Sequence, residues 1–347
     1  MGNRVKQSVY ILYLLLIFPL CPAMEPKHKK LHAEYLTNNH IIILSRKQCS
    51  IIDITTEKAI VQIKNLSNHD LAIHPNKKRF ALFKEKNVTI YNTKTGKEEK
   101  KISIQSDSIQ SAVFSPLEKT ILLNCINTLQ KYNYKTNTKE FLNYYLNQQI
   151  AHHPTQSSLC ILKSDRILIS NSTDLALKQK FCLHGISSLL NCQYSPKGSI
   201  IAVNNSHNVY FLSPKHSQFI GAIRNESKES IKECAFHPNG SVFTTLHTLP
   251  DQYILRYWDI DSSTCIKTSF FKEYIHHFSF SPHGNNILIT YKKEFEIYQI
   301  PWFVICQLGT DTTKLLLSFF FLTNFTENIP AEVRRTIEYF LLETFKR

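Results

Sequence analysis

The sequence predicts an all-β fold assembled from seven copies of one strand unit, flanked by an export segment and a helical tail. Three observations carry this. A short apolar strand closing on His-Pro or Ser-Pro recurs at Pro75, Pro116, Pro154, Pro196, Pro238 and Pro282, in steps of 41, 38, 42, 42 and 44 residues. From each proline to a polar residue that closes a later strand (Asn92, Asn133, Asn171, Ser213, Asp259, Gln299) the distance is 17 in five of six copies and 21 in the sixth. The ends of the chain read differently: residues 1–23 are apolar after a basic start, and residues 311–347 carry helical spacing.

The 347 residues include 43% apolar and 12% aromatic side chains spread along the chain, enough for a buried core and unlike a disordered or collagenous sequence. Only 8 glycines occur, and neither GxGxxG nor GxxxxGK[ST] is present, which excludes the common phosphate-loop architectures. At the N-terminus, Arg4 and Lys6 precede an unbroken apolar run from Val9 to Phe18, and Cys21-Pro22-Ala23 offers small residues at the −3 and −1 positions of a cleavage site. That layout is a secretory signal peptide over residues 1–23. An exported protein (periplasmic, secreted or extracellular) is expected, an uncleaved membrane anchor being the alternative. The run is shorter than the roughly 20 residues a spanning helix needs, so stable membrane insertion after cleavage is not expected. Cleavage removes Arg4 and Lys6 and no acid, taking the formal charge from +14 to +12.

Each repeat proline is followed by a polar turn and then a second apolar strand, for example Phe80-Ala81-Leu82-Phe83, Ile121-Leu122-Leu123 and Ile287-Leu288-Ile289. A third strand then ends on the spaced polar residue. A seventh copy lies nearest the N-terminus, with Leu36 in place of the proline, a strand at Ile41–Leu44 and Ile52-Asp53 at the same distance of 17. Counting back from each proline, bulky residues fall at the second position (Ile73, Phe114, Tyr194, Phe236, Phe280) and mostly small ones at the third (Ala72, Val113, Ala151, Ala235, Ser279). Period-two alternation of this kind suits a strand packed on both faces, and a proline at its exit leaves the ladder intact.

The repeat resembles the WD40 family. The residues that carry the resemblance are Phe114-Ser115-Pro116, Tyr194-Ser195-Pro196-Lys197-Gly198, Phe236-His237-Pro238-Asn239-Gly240 and Phe280-Ser281-Pro282-His283-Gly284, with Trp258-Asp259 as the one Trp-Asp pair and Tyr91-Asn92-Thr93-Lys94-Thr95-Gly96-Lys97 close to it. The resemblance covers residues 31–300 and implies a seven-bladed β-propeller of four-stranded blades, acting as a protein-binding scaffold. The copies are degenerate: the Gly-His dipeptide before the first strand is missing, as is the buried Asp-His-Ser-Trp set in most blades. In the family an N-terminal strand completes the last blade. Here Met24–Lys30 is a poor strand, and Val304–Leu308 is the candidate to serve instead.

Residues 311–347 predict a helical hairpin, the first helix capped at Asp311-Thr312-Thr313 and the second opening at Asn328-Ile329-Pro330-Ala331-Glu332. Val333, Ile337, Phe340, Leu341 and Phe345 form one apolar stripe. Ile329-Pro330-Ala331-Glu332-Val333 is similar to the opening of an F-box, which would make the tail an adaptor segment, although too few residues remain for a whole F-box.

Of the nine cysteines, eight follow the cleavage site, form no CxxC and sit mostly in apolar runs, where they read as small core residues. The histidine pairs His152-His153 and His276-His277, and the turn histidines His74, His153 and His237, invite a metal reading. Adjacent residues on a strand point to opposite faces, and equivalent turns on alternate blades are too far apart for one ion, so no metal site is expected. No HExxH or GxSxG occurs, and neither catalytic nor cofactor-binding residues are assigned. The basic runs Lys27–Lys30, Lys77-Lys78-Arg79 and Lys97–Lys101 lack interleaved aromatics and read as solvated turns, with no specific nucleic-acid binding. The expectation is a monomeric, non-catalytic scaffold with a protein partner. A propeller hydrolase or lactonase working at the channel mouth is the alternative, which a cluster of carboxylates or histidines there would favour.

Overall fold

The computed structural model describes residues 31–300 apart from 106–107, 118, 127, 143–148, 164–165, 173–175, 183–188, 217 and 225–228. The expected signal segment, the candidate closing strand Val304–Leu308 and the helical hairpin lie outside the described residues.

Seven antiparallel meanders follow one another along the chain. Blade 1 is β1 (His32–Tyr35), β2 (His40–Leu44), β3 (Gln48–Asp53) and β4 (Lys58–Lys64), and blade 2 is β5 (Asp70–Ile73), β6 (Arg79–Lys84), β7 (Asn87–Asn92) and β8 (Glu98–Ser103). Blade 3 is β9 (Ile109–Phe114), β10 (Thr120–Cys125), β11 (Leu129–Asn133) and β12 (Thr138–Leu142), and blade 4 is β13 (Ile150–His152), β14 (Ser158–Lys163), β15 (Arg166–Asn171) and β16 (Leu177–Cys182). Blade 5 is β17 (Asn191–Tyr194), β18 (Ile201–Asn204), β19 (Asn208–Ser213) and β20 (Gln218–Arg224), and blade 6 is β21 (Ser230–Phe236), β22 (Val242–Thr248), β23 (Tyr253–Asp259) and β24 (Cys265–Phe271). Blade 7 has three strands among the described residues, β25 (His277–Phe280), β26 (Asn286–Thr290) and β27 (Phe295–Gln299). Neighbouring blades meet mainly through their first strands, which are therefore innermost.

The burial gradient explains why these sequences form these strands. The second strands are almost continuously apolar and buried, as in β10 (Thr120–Cys125) and β18 (Ile201–Asn204), because both of their faces are covered by adjacent blades. The fourth strands keep one side wet, as in β4, where Val61 alone is buried. The core lies between blades: Ala81, Val88 and Ile90 of blade 2 pack with Phe114, Ile121 and Leu123 of blade 3. Phe211 of blade 5 meets Phe243 of blade 6 edge-on, with ring centres 5.2 Å apart.

The residue before each repeat proline is buried in all six cases: His74, Ser115, His153, Ser195, His237 and Ser281. Its side chain ties the turn. His74 Nδ1 accepts from Asn76 N at 3.1 Å, His153 Nδ1 from Gln156 N at 3.0 Å, Ser195 Oγ from Ile200 N at 3.1 Å and Ser281 Oγ from Asn286 N at 3.0 Å. His237 also latches onto the next blade, its Nε2–H donating to Gly284 O at 2.9 Å. At the far end of the repeat, Asn92 Oδ1 accepts from Lys94 N and Thr95 N, and Asp259 Oδ1 from Asp261 N and Ser262 N. The constant spacing is thus the distance between two side-chain-capped turns.

The first repeat needs a correction. Tyr35 pairs with Ile41 as Ile73 pairs with Phe80, so the hairpin of blade 1 is one residue shorter than the others. Leu36, 2% exposed, therefore replaces the buried His or Ser, and Thr37 stands where the proline would be. The Thr37 hydroxyl accepts from Asn39 N and His40 N and closes the tighter turn.

Blade 1 and blade 7 close the ring without sharing a strand among the described residues. Tyr35 N donates to Ser279 Oγ at 3.3 Å, and His283 N donates to Asn38 Oδ1 at 3.1 Å. Leu288 joins Ala33, Tyr35, Ile41 and Ile52 in one apolar cluster.

Candidate functional site

The corrected register aligns one level of all seven innermost strands. The residue five positions before the turn proline, or before Thr37, is His32, Asp70, Ser111, Gln149, Asn191, Glu233 or His277: polar in every blade. Two positions on, and on the same face, stand Glu34, Ala72, Val113, Ala151, Gln193, Ala235 and Ser279. A polar belt therefore runs around the axial side of the ring, at the start of the first strands.

The belt gathers titratable groups where the ring closes. His277 Nδ1 lies 2.5 Å from Glu233 Oε1, joining blade 7 to blade 6. Its ring stacks on that of His32 of blade 1, with centres 4.3 Å apart and planes 25° apart. His32 Nε2 is 3.7 Å from Glu34 Oε2, and Glu34 Oε1 accepts from Lys77 Nζ of blade 2 at 3.2 Å. Four blades are thus linked by one chain of charge. Burial would raise the carboxyl of Glu34, but Lys77 with His32 and His277 holds it well below the usual range. Burial opposes the imidazolium of His277, and Glu233 with Glu34 overrides it and pushes the pKa up. His277 Nε2 is buried with no hydrogen-bond partner.

One ligand atom each from His32, Glu34 and His277 falls within 4.8 Å of the others, a set that could hold a metal ion. These three residues are neither adjacent histidines nor at equivalent turns, so no local pattern in the sequence marks them. His276 and His277 do diverge, His276 turning to the ring of Tyr274 at 4.5 Å. The turn histidines His74, His153 and His237 lie in separate blades, each against the aromatic ring of the next (Phe114, Tyr194 and Phe280). His152 is held apart with both ring nitrogens buried and unpartnered, its pKa pushed down to about 3 by burial and then by Lys131.

Blade 6 carries a second polar chain. Trp258 Nε1 donates to Thr245 Oγ1 at 2.7 Å, Thr245 Oγ1 meets His247 Nε2 at 2.7 Å, and His247 Nδ1 is 3.3 Å from Glu229, which also binds Arg256. Thr245 and His247 are fully buried. An indole, a hydroxyl, an imidazole and a carboxylate are thus joined in one blade, with Glu229 as the acid.

In an antiparallel meander the second-to-third connection and the blade-to-blade connection share one ring face. On that face Ile126, Leu190 and Tyr274 are 45%, 51% and 48% exposed. Lys232 Nζ sits 4.0 Å from the ring centre of Tyr274 and 5.7 Å from that of Tyr253, beside the belt. Cys49, Cys125, Cys160, Cys192, Cys234 and Cys265 form no disulfide, and all of them but Cys265 are buried. Among the described residues no helix is long and apolar enough to cross a membrane.

Seven meanders around an axis, joined through their first strands, define a seven-bladed β-propeller. Among solved structures the chain is similar to the β-propeller domain of Cps50 (Swd1) from Myceliophteria thermophila, with a TM-score of 0.67 and 10% identity, over 80% of this chain and 98% of that one. At that identity the likeness concerns the fold. No family model and no curated protein sequence matches the chain.

Proposed function

We propose that this chain is a degenerate WD40-type propeller, exported and non-catalytic, that serves as a rigid protein-binding platform. The observation that carries the reading is the ring face on which Ile126, Leu190 and Tyr274 are exposed around the polar belt, with Lys232 held against Tyr274 and Tyr253. Aromatic and apolar groups standing on a rigid scaffold lose little freedom when covered, which favours their use as contacts. The propeller fold, shared with the domain of known structure, supports the same reading. Affinity capture of the mature chain from its native compartment, run beside Leu190→Ala and Tyr274→Ala, tests it. Loss of a stoichiometric partner from the variants is expected. An unchanged set of captured proteins sinks this face as the platform.

The His-Glu cluster at the belt favours a second reading, an enzyme at the channel mouth. Against it, Glu34 is paired with Lys77 and Glu233 with His277, so both carboxylates already serve contacts between blades. Hydrolytic turnover of ester or lactone substrates that Glu34→Gln abolishes would establish this reading over the first.

A further inference from the structure

We propose that His32, Glu34 and His277 form a binding site for a divalent transition-metal ion of the zinc class, bridging the first blade to the last. The inference goes beyond the interaction reading and stands or falls separately from it.

The donor set comes first. Two imidazoles and one carboxylate suit zinc, and three protein ligands leave one position for water or for a group from a partner. The ligand atoms already lie within 4.8 Å of one another, whereas tetrahedral zinc with bonds of about 2.0–2.1 Å separates its ligands by about 3.4 Å. Rotation of the His32 ring, whose side chain is 35% exposed, would supply the difference and open the ring stack.

A ligating histidine ordinarily gives its other nitrogen to a carboxylate, which fixes ring and tautomer. Glu233 does this to His277 Nδ1 at 2.5 Å, and Nε2 is buried and unpartnered. A purely structural ion pair between Glu233 and His277 does not require that unsatisfied nitrogen. The Lys77 ammonium, 3.2 Å from Glu34, supplies the positive charge that a metal ion would otherwise provide, and so competes with it.

The location gives the ion a role. β1 and β25 are the first strands of the first and last blades and share no backbone ladder, so an ion held by both acts as a clasp. Any ion bound by the folded ring alone adds stability by mass action.

The test uses the full chain, treated with EDTA and dialysed, and titrated with Co²⁺ alone in visible light, then with Zn²⁺ in competition. Expected are d–d bands that saturate at one equivalent and are displaced by Zn²⁺, with a rise in melting temperature under Zn²⁺. In the His32→Gln/Glu34→Gln double variant the bands vanish. Glu233→Gln weakens binding about 10- to 100-fold. Lys77→Ala binds more tightly than the wild type, a gain that misfolding cannot produce. A wild type without saturable bands, a double variant with an unchanged titration, or a Lys77→Ala chain that binds no better overturns the proposal.

Discussion

The latch between blades 6 and 7 gives a stability prediction with an internal control. Gly240 and Gly284 occupy equivalent turns with nearly the same backbone, φ of +82° and +79°. Alanine at either position pays the left-handed penalty, roughly 1–2 kcal/mol. Their surroundings differ. A Cβ on Gly240 would find Pro196 Cδ at 3.7 Å, an ordinary contact, while a Cβ on Gly284 would fall 2.3 Å from the ring of His237. That ring cannot step aside cheaply: it is 1% exposed and donates to Gly284 O. Overpacking of this kind costs typically about 1–3 kcal/mol, so Gly284→Ala should lose about 2–5 kcal/mol against about 1–2 for Gly240→Ala. Urea unfolding of both variants at constant m measures the difference. His237→Ala in the Gly284→Ala background removes the clash, and the double-mutant cycle should show the two changes costing less together than their sum. Equal losses in the two glycine variants, or strict additivity with His237→Ala, would refute the latch.

Further expectations follow from the other buried polar groups. Burial, then Lys131, holds His152 down to about 3, and burial with Arg256 holds His247 down to about 4, against an ordinary 6.5. The unfolded chain takes up these protons first as pH falls, so their stability is complete above about pH 6.5 and is lost toward pH 4, at up to about 1.4 kcal/mol per pH unit from each. Urea midpoints at pH 7 and pH 5 check this, and His152→Gln/His247→Gln should flatten the dependence; an unchanged slope contradicts the assignment. Trp258→Phe removes the donor to Thr245 inside a buried chain and should cost about 1–3 kcal/mol by the same unfolding assay, with a neutral result counting against the chain.

Much of the ring was legible because two turns per blade are fixed by side chains. The residue before the proline and the Asn or Asp at the end of the third strand both cap turns, so their separation is a length of hairpin and survives divergence of everything between. The register of the first blade was hidden by the same logic: Leu36 fills the buried pocket of the missing His or Ser, and a turn shortened by one residue makes it resemble a proline substitute. That slip also hid the site. The fifth residue before each turn is polar throughout, but His32 falls into line only when Thr37 is taken as the turn residue. Nor does any local pattern say that the two ends of a chain meet. His32 and His277 stand 245 positions apart and come together only because the ring is closed. The fourth strands left the weakest trace, since one wet face and exposed residues such as Phe141 and Phe270 blur their alternation.

Seven blades form a ring whose first and last members meet through β1 and β25. Amide hydrogen exchange on the full chain, followed in peptides covering residues 32–35 and 277–280, tests it most directly. In a closed ring the Tyr35 amide, bonded to Ser279 Oγ, and the amides of β25 should be protected to the same degree as those of β5 and β9. Rapid exchange of β1 and β25 while the inner strands of blades 2–6 stay protected would show an open ring.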